Sequence, residues 1–276
     1  MENYSVLMSV YYKEQAENLR EAIDSILNQT VKTNEFIIVK DGPLTEKLDN
    51  TIKEYVEEYP GVFKIITLEK NMGLAKALNK GIEQCSNEII ARMDSDDVSR
   101  PDRFAVQSEF LDTHKDVAVI GAYIQEFSDI CENLGVRKFP LDTDGAKKLI
   151  YKANPLAHPA VMMRKSMFDD GISYDENYRT SQDLALWFDI LTAGYNVANI
   201  DKVLLNFRRN DSVYKRRSNR KDSNLEFKVH EKGIYKLFGI SPYKSLFPIA
   251  RYILRLLPSS IIRMLYNGKI RRKLTM

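Results

Sequence analysis

The 276-residue chain is 44% hydrophobic and 29% charged with two cysteines, so it can bury one sizeable core with room for an appendage and cannot rest on a disulfide scaffold. Its net charge of +3 averages two unlike parts: residues 232–276 hold ten Lys or Arg and no Asp or Glu, which leaves 31 basic against 38 acidic residues upstream. A main body at −7 and a tail that is apolar as well as basic argue against DNA or RNA as the partner.

Tyr4-Ser5-Val6-Leu7-Met8-Ser9-Val10 predicts a first strand. Leu19, Ile23, Ile26 and Leu27 recur at helical spacing and predict a helix from about Glu14 to Gln29. Glu35–Lys40 predicts a second strand, ended by the turn chemistry of Asp41-Gly42-Pro43. A helix with Leu48, Ile52, Tyr55 and Val56 on one face follows, then a strand over Val62–Leu68 and a helix over Leu74–Cys85. Glu88–Met93 is the fourth strand, and it runs into Asp94-Ser95-Asp96-Asp97. Repeated βα units imply an α/β fold with a Rossmann-like, mostly parallel sheet flanked by helices, and a ligand crevice at the carboxyl ends of the strands. Asp41 and the acidic cluster both fall at such ends.

An extended Asp-x-Asp throws both carboxylates to one side of the chain. Like charges held that close at the end of a buried strand are costly unless a cation compensates them. A hard divalent ion, Mg²⁺ or Mn²⁺, suits Asp94 and Asp96 together with substrate phosphates. The alternative is a solvated acidic turn leading the next helix. No glycine-rich turn follows the first strand and no phosphate loop is present, so a nucleotide would be held by carboxylates at base and sugar and by a metal at its phosphates. The same lack weighs against a nucleotidyltransferase, an alternative class with acidic metal sites.

Seven segments in order carry a family likeness: Val6–Tyr11, Ser25–Thr30, Phe36–Gly42, Asn71–Gly81, Ala91–Asp97, Pro101–Phe104 and Gln182–Trp187. With them the chain resembles a family 2 glycosyltransferase of GT-A fold, of the bacterial exopolysaccharide, capsule and O-antigen type. The resemblance spans about residues 4–205. It implies a GT-A domain over 1–205, with a nucleotide-sugar half to about residue 100 and an acceptor half beyond, followed by a basic, amphipathic, helical extension over 206–276. By this likeness Ser9 and Tyr11 line the nucleotide pocket, Asp41 accepts from the uracil imide, and Asn71, Lys76 and Ser95 help shape the donor site. Asp94 lies near the sugar and the metal, Asp96 reaches the metal, and Asp183 is the general base. The implied reaction moves a hexose, with inversion, from a nucleoside diphosphate sugar, UDP-linked, to a lipid-linked saccharide. The family commonly has acids where this chain has Lys40 and Gln182; the second acid of each pair, Asp41 and Asp183, is kept. A degenerate, partner-binding member is the non-catalytic alternative, and the intact acids argue against it.

Read without the family, Asp183 precedes the apolar run Leu184, Leu186 and Trp187 and could be a plain helix N-cap. His158 has no histidine or cysteine at ligand spacing and reads on its own as packed or capping, while the likeness makes it an acceptor contact. The basic run Lys215-Arg216-Arg217-Ser218 reads either as a site for a diphosphate, in the donor or in a lipid-linked acceptor, with Arg216 and Arg217 as acceptor contacts, or as a solvated loop. His114 and His230 fall in charged helical stretches and read as solvated. Cys85 and Cys131 are isolated and suit a reducing compartment. No signal peptide is evident, which together with the acceptor implies a cytoplasmic protein peripheral on the inner face of the plasma membrane. The tail, with Phe247–Leu257 and Ile261–Tyr266, is amphipathic and basic. It reads either as a segment on an anionic membrane surface or as helices packed on the domain.

Overall fold

A computed structural model describes residues 3–209 and 220–256. It opens with β1 (Tyr4–Val10), α1 (Ala16–Leu27), β2 (Glu35–Lys40), α2 (Glu46–Glu58), β3 (Phe63–Thr67), α3 (Leu74–Ile82) and β4 (Ile89–Asp94). β1 pairs in parallel with β2 and β4, and β2 with β3. Parallel strands covered on both faces need apolar side chains on both, which is why these segments read as almost unbroken apolar runs. Val6, Met8, Phe36 and Ile38 face one core with Leu19 and Ile23 of α1 and Ile52 of α2. Leu7, Ile37 and Val39 face the other with Ala77 and Leu78 of α3.

Beyond β4 the chain forms β5 (Val98–Ser99), α4 (Arg103–Thr113), β6 (Val117–Ser128), β7 (Cys131–Arg137), α5 (Thr143–Leu149), β8 (Met162–Arg164), α6 (Ser166–Asp169), α7 (Gln182–Thr192) and β9 (Asn196–Arg208). The strand order is β3-β2-β1-β4-β8-β6-β9-β5, with β7 hairpinned on β6. β8 is antiparallel to β4 and β6, β5 is antiparallel to β9, and β6–β9 is parallel. The expectation of a mostly parallel sheet therefore holds for the first half only, and the whole sheet is mixed. Asp129-Ile130 alone join β6 to β7, and a parallel pair would need a crossover of about a dozen residues.

The boundary expected at residue 205 falls inside β9, which runs on to Arg208. α8 (Arg220–Phe238) then packs on α7, and α9 (Pro242–Leu256) on α8. Val229 and Ile234 of α8 are buried in the same core as Trp187 and Phe188, so the start of the extension is part of the domain. At Gly233 a Cβ would come within 2.3 Å of the Phe188 ring, which only a glycine allows. His230, expected in solvent, is buried on this seam with Nδ1 3.0 Å from the Glu226 carbonyl oxygen. Burial pushes its pKa down to about 4. His114 is exposed and stacks on Phe110. Both cysteines are free. No helix among the described residues is long and apolar enough to cross a membrane.

Candidate active site

The register of the parallel strands aligns their ends: Ser9 pairs across with Asp94, and Val10 with Lys40. β1, β2 and β4 thus deliver Ser9 and Tyr11, Asp41, and Asp94 to one edge of the sheet, where a crevice is expected. Tyr11 is exposed there. Asp41 is buried, and its carboxylate accepts from Asn71 Nδ2 at 2.9 Å, Met72 N–H at 2.7 Å and Gly73 N–H at 3.0 Å. It so fixes the turn that starts α3, whose Lys76 lies 3.5 Å from Glu176. Gly42, at φ +87°, passes so close to this turn that a Cβ would lie 2.5 Å from Asn71 N. A carboxylate offers about four acceptor positions, so Asp41 keeps capacity for a donor from outside. Lys40 points to the other side and pairs with Asp49 at 2.5 Å.

At the end of β4 the carboxylates of Asp94, Asp96 and Asp97 lie within 4.8 Å of one another. Asp94 is matched by Arg92, two residues back on the same strand face, which grips it with both guanidinium nitrogens, one at 2.9 Å. Among the described residues Asp96 has no cation paired to it in this way. Burial, with the charges of Asp94 and Glu14, pushes its pKa up to about 7. Asp97 accepts from the Arg208 N–H at 2.8 Å, while its Oδ2 is buried with no donor among the described residues. Burial and the Asp96 and Asp94 charges raise its pKa well above the usual range. An oxygen-only set short of positive charge, with a buried oxygen left over, fits a hard divalent ion. Ser95, expected on the donor, is instead buried, and its hydroxyl donates to Glu14 at 2.7 Å, so it buttresses the cluster from behind.

Asp183 is the second residue of α7, not its cap. The cap is Ser181, held at φ 61°, the one non-glycine residue with positive φ among those described. Asp183 Oδ2 accepts from Asn154 Nδ2 at 2.6 Å. Burial raises its pKa, against the opposing pull of the Leu184 N–H, Arg92 and Asn154. Arg92 thus acts on both Asp94 and Asp183. His158 opens a short 3₁₀ turn (His158–Ala160), and its Nε2 lies 2.7 Å from the Tyr174 hydroxyl. Its ring packs 5.5 Å from Tyr174 and 5.9 Å from Trp187, and burial drives its pKa well below the usual histidine value. A neutral, buried ring committed to Tyr174 matches the packed role and not the acceptor contact.

Residues 5–172 match the sequence profile of Glycosyl transferase family 2. The chain belongs to that family. This glycosyltransferase is 33% identical over 271 residues to the amylovoran biosynthesis glycosyltransferase AmsE of Erwinia amylovora, covering 96% of this chain and 98% of that one. It is 35% identical over 270 residues to the UDP-Gal:α-D-GlcNAc-diphosphoundecaprenol β-1,3-galactosyltransferase of Escherichia coli, covering 98% and 97%. The mannosyltransferase PcManGT of Pyrobaculum calidifontis, solved with GDP-Man and Mn²⁺, matches at a TM-score of 0.66 and 15% identity over 100% of this chain and 84% of that one, a likeness of GT-A fold.

In the glycosyltransferase, then, the fold gathers Ser9, Tyr11, Asp41, Asn71, Asp94 and Asp96 at the ends of neighbouring strands and their loops. Arg216 and Arg217 lie outside the described residues. Sequence reasoning passed over Arg92, although a lone arginine in an apolar strand, two positions before an aspartate, signals a shared face. Asn154 gave no such signal, because it meets Asp183 across 29 residues.

Proposed function

We propose that this glycosyltransferase moves a hexose from a UDP-linked sugar to a lipid-linked saccharide in bacterial surface polysaccharide assembly, with inversion and with Mg²⁺ or Mn²⁺. One observation carries the reading: an undercompensated carboxylate cluster and a buried, raised-pKa carboxylate, Asp183, lie in the field of the same guanidinium, Arg92. A cation held by Asp94 and Asp96 would offset charge on the departing diphosphate. Asp41 accepts from the base, Ser9 and Tyr11 line the nucleotide, and Asn71 and Lys76 shape the donor loop. Asp183 takes the proton of the acceptor hydroxyl, and its raised pKa makes it a better base than a free carboxylate. One base on the face opposite the leaving group gives direct displacement with inversion at the anomeric carbon, which requires no second, nucleophilic carboxylate. The UDP-Gal donor and diphosphoundecaprenol-linked acceptor in the name of the E. coli relative support both substrate classes. The same reading places the enzyme at the cytoplasmic face of the plasma membrane, held there by its basic C-terminal segment.

The test is release of nucleoside diphosphate from a panel of nucleotide sugars, with and without chelator. Metal-dependent release from UDP-sugars, lost in Asp183→Asn when acceptor is present, is the expected result. No release from any donor would favour a degenerate binding protein.

A further inference from the structure

Among the described side chains of α9, every exposed one is apolar: Pro242, Tyr243, Leu246, Ile249, Ala250, Ile253 and Leu254. Their spacing of three and four makes them one continuous face over four turns. Tyr243, Leu246 and Ile253 are 63%, 59% and 56% exposed, and Ile240 in the preceding turn is 88% exposed. The charged residues of the helix are turned inward. Arg251 and Arg255 reach Glu226 of α8 at 3.1 and 2.5 Å, Arg251 also donates to the Lys152 carbonyl, and Lys244 lies 4.5 Å over the Phe238 ring. A helix docked on a water-soluble domain has the opposite arrangement, with its polar side in water. α9 is therefore packed on one side, and among the described residues nothing covers its outer face.

We propose that this outer face lies in the headgroup region of an anionic lipid bilayer while the inner face stays docked on α8. The proposal deepens the membrane placement above and rests on it. A second copy of the chain would also bury apolar surface, but it would bring together two tails that each carry five Lys or Arg and no acid beyond Leu256. The same charge attracts anionic headgroups, and an interfacial helix of this kind needs both terms. Packing on the domain and contact with lipid are thus two faces of one helix. The inner face is in turn tied to the candidate base: Arg251 holds Lys152, two residues before Asn154, which holds Asp183.

The experiment uses the full chain, its Leu246→Ser/Ile249→Ser/Ile253→Ser variant, and vesicles of phosphatidylcholine with or without phosphatidylglycerol. The parent should sediment with the anionic vesicles only, and the variant should partition less by on the order of a hundredfold. Hydrolysis of soluble donor and circular dichroism should be unchanged, because the three side chains are exposed and none belongs to the core or to the hydrophobics packed against it. In Tyr243→Trp, emission should shift to the blue with anionic vesicles and be quenched by lipids brominated in the acyl chain; the one native tryptophan, Trp187, is buried. Equal sedimentation of parent and variant, or an unquenched Trp at position 243, would overturn the proposal. So would a parent that ignores vesicles and forms a dimer dissolved by the triple substitution, which would make the second copy the occupant. A failure of donor turnover with intact lipid binding would instead strike at the catalytic reading alone.

Discussion

Arg92 carries a permanent charge into a strand whose other residues before Asp94 are apolar, and it is almost fully buried. It gives Asp94 a cation of its own, and among the described residues Asp96 and Asp97 have none paired to them. Arg92→Met keeps the stem and removes the charge, so Asp94 loses its partner beside two more carboxylates. Because Asp94 is partly open to water, the expected loss of stability is about 2 kcal/mol, below the range for a fully buried pair, and denaturant unfolding measures it. Asp96 works in the other direction. A carboxyl raised to about 7 in the fold and near 3.8 outside it binds its proton more tightly when folded, so its contribution falls as pH rises between those values. Asp96→Asn should then melt no lower than the parent at neutral pH without metal. Mn²⁺ should raise the parent's melting temperature and leave the variant's unmoved. A variant that responds to Mn²⁺ like the parent would place the ion elsewhere. For Asp183→Asn, transfer should drop by about 10²–10⁴-fold with donor affinity nearly unchanged.

Among the elements, the α7–α8 seam is a contact close enough to require a glycine. Gly233→Ala would push a methyl into the Phe188 ring, which is buried and has nowhere to turn. Urea unfolding should show a loss of about 1–3 kcal/mol, the usual cost of overpacking. Nothing in the sequence marks this glycine, because the crossing exists only once α8 has docked. His230 was misread for the same reason: its neighbours in the chain are charged, and its burial comes from α7. The first half of the sheet was legible because β1, β2 and β3 are largely apolar strands of five to seven residues, each followed by a helix of clear period. β8 has only three residues, and β6 carries the buried Glu126, paired with Arg209 at 3.1 Å, which breaks its pattern. The donor-side acids were readable from strand ends alone. Ser95 and His158 lay within readable motifs, but the direction of their side chains is set by Glu14 and Tyr174, distant in sequence.

For the molecule as a whole, the docking of α8 and α9 should be sensitive to acid. His230 titrates near 4 in the fold and near 6.5 outside it, so the unfolded form takes up the extra proton and stability falls as pH drops from 6.5 towards 4. At full extent that is on the order of 3 kcal/mol. Glu226 is held below its usual 4.5 by Arg255 and Arg251 despite its burial, so its share persists above 4.5 and is lost below. Both signs agree. Amide protection factors, which correct for the slower intrinsic exchange in acid, should therefore fall in residues 220–256 between pH 6.5 and 4 before they fall in β1, β2 and β4. Protection factors that fall evenly across the chain would remove the seam from the explanation.

The hold of Arg251 on the Lys152 carbonyl bears on how shortened forms of the enzyme are to be interpreted. An experimenter troubled by poor solubility would trim the apolar stripe, ending the chain before α8 or through it near Lys232, since Asp41, Asp94, Asp96 and Asp183 all lie upstream. Such a cut bares Phe188 and unties the strand of backbone that leads to Asn154. The trimmed enzyme is expected to be inactive although every acid is intact. Its silence would be evidence of a slackened base, and assigning a catalytic group to the discarded piece would be an error.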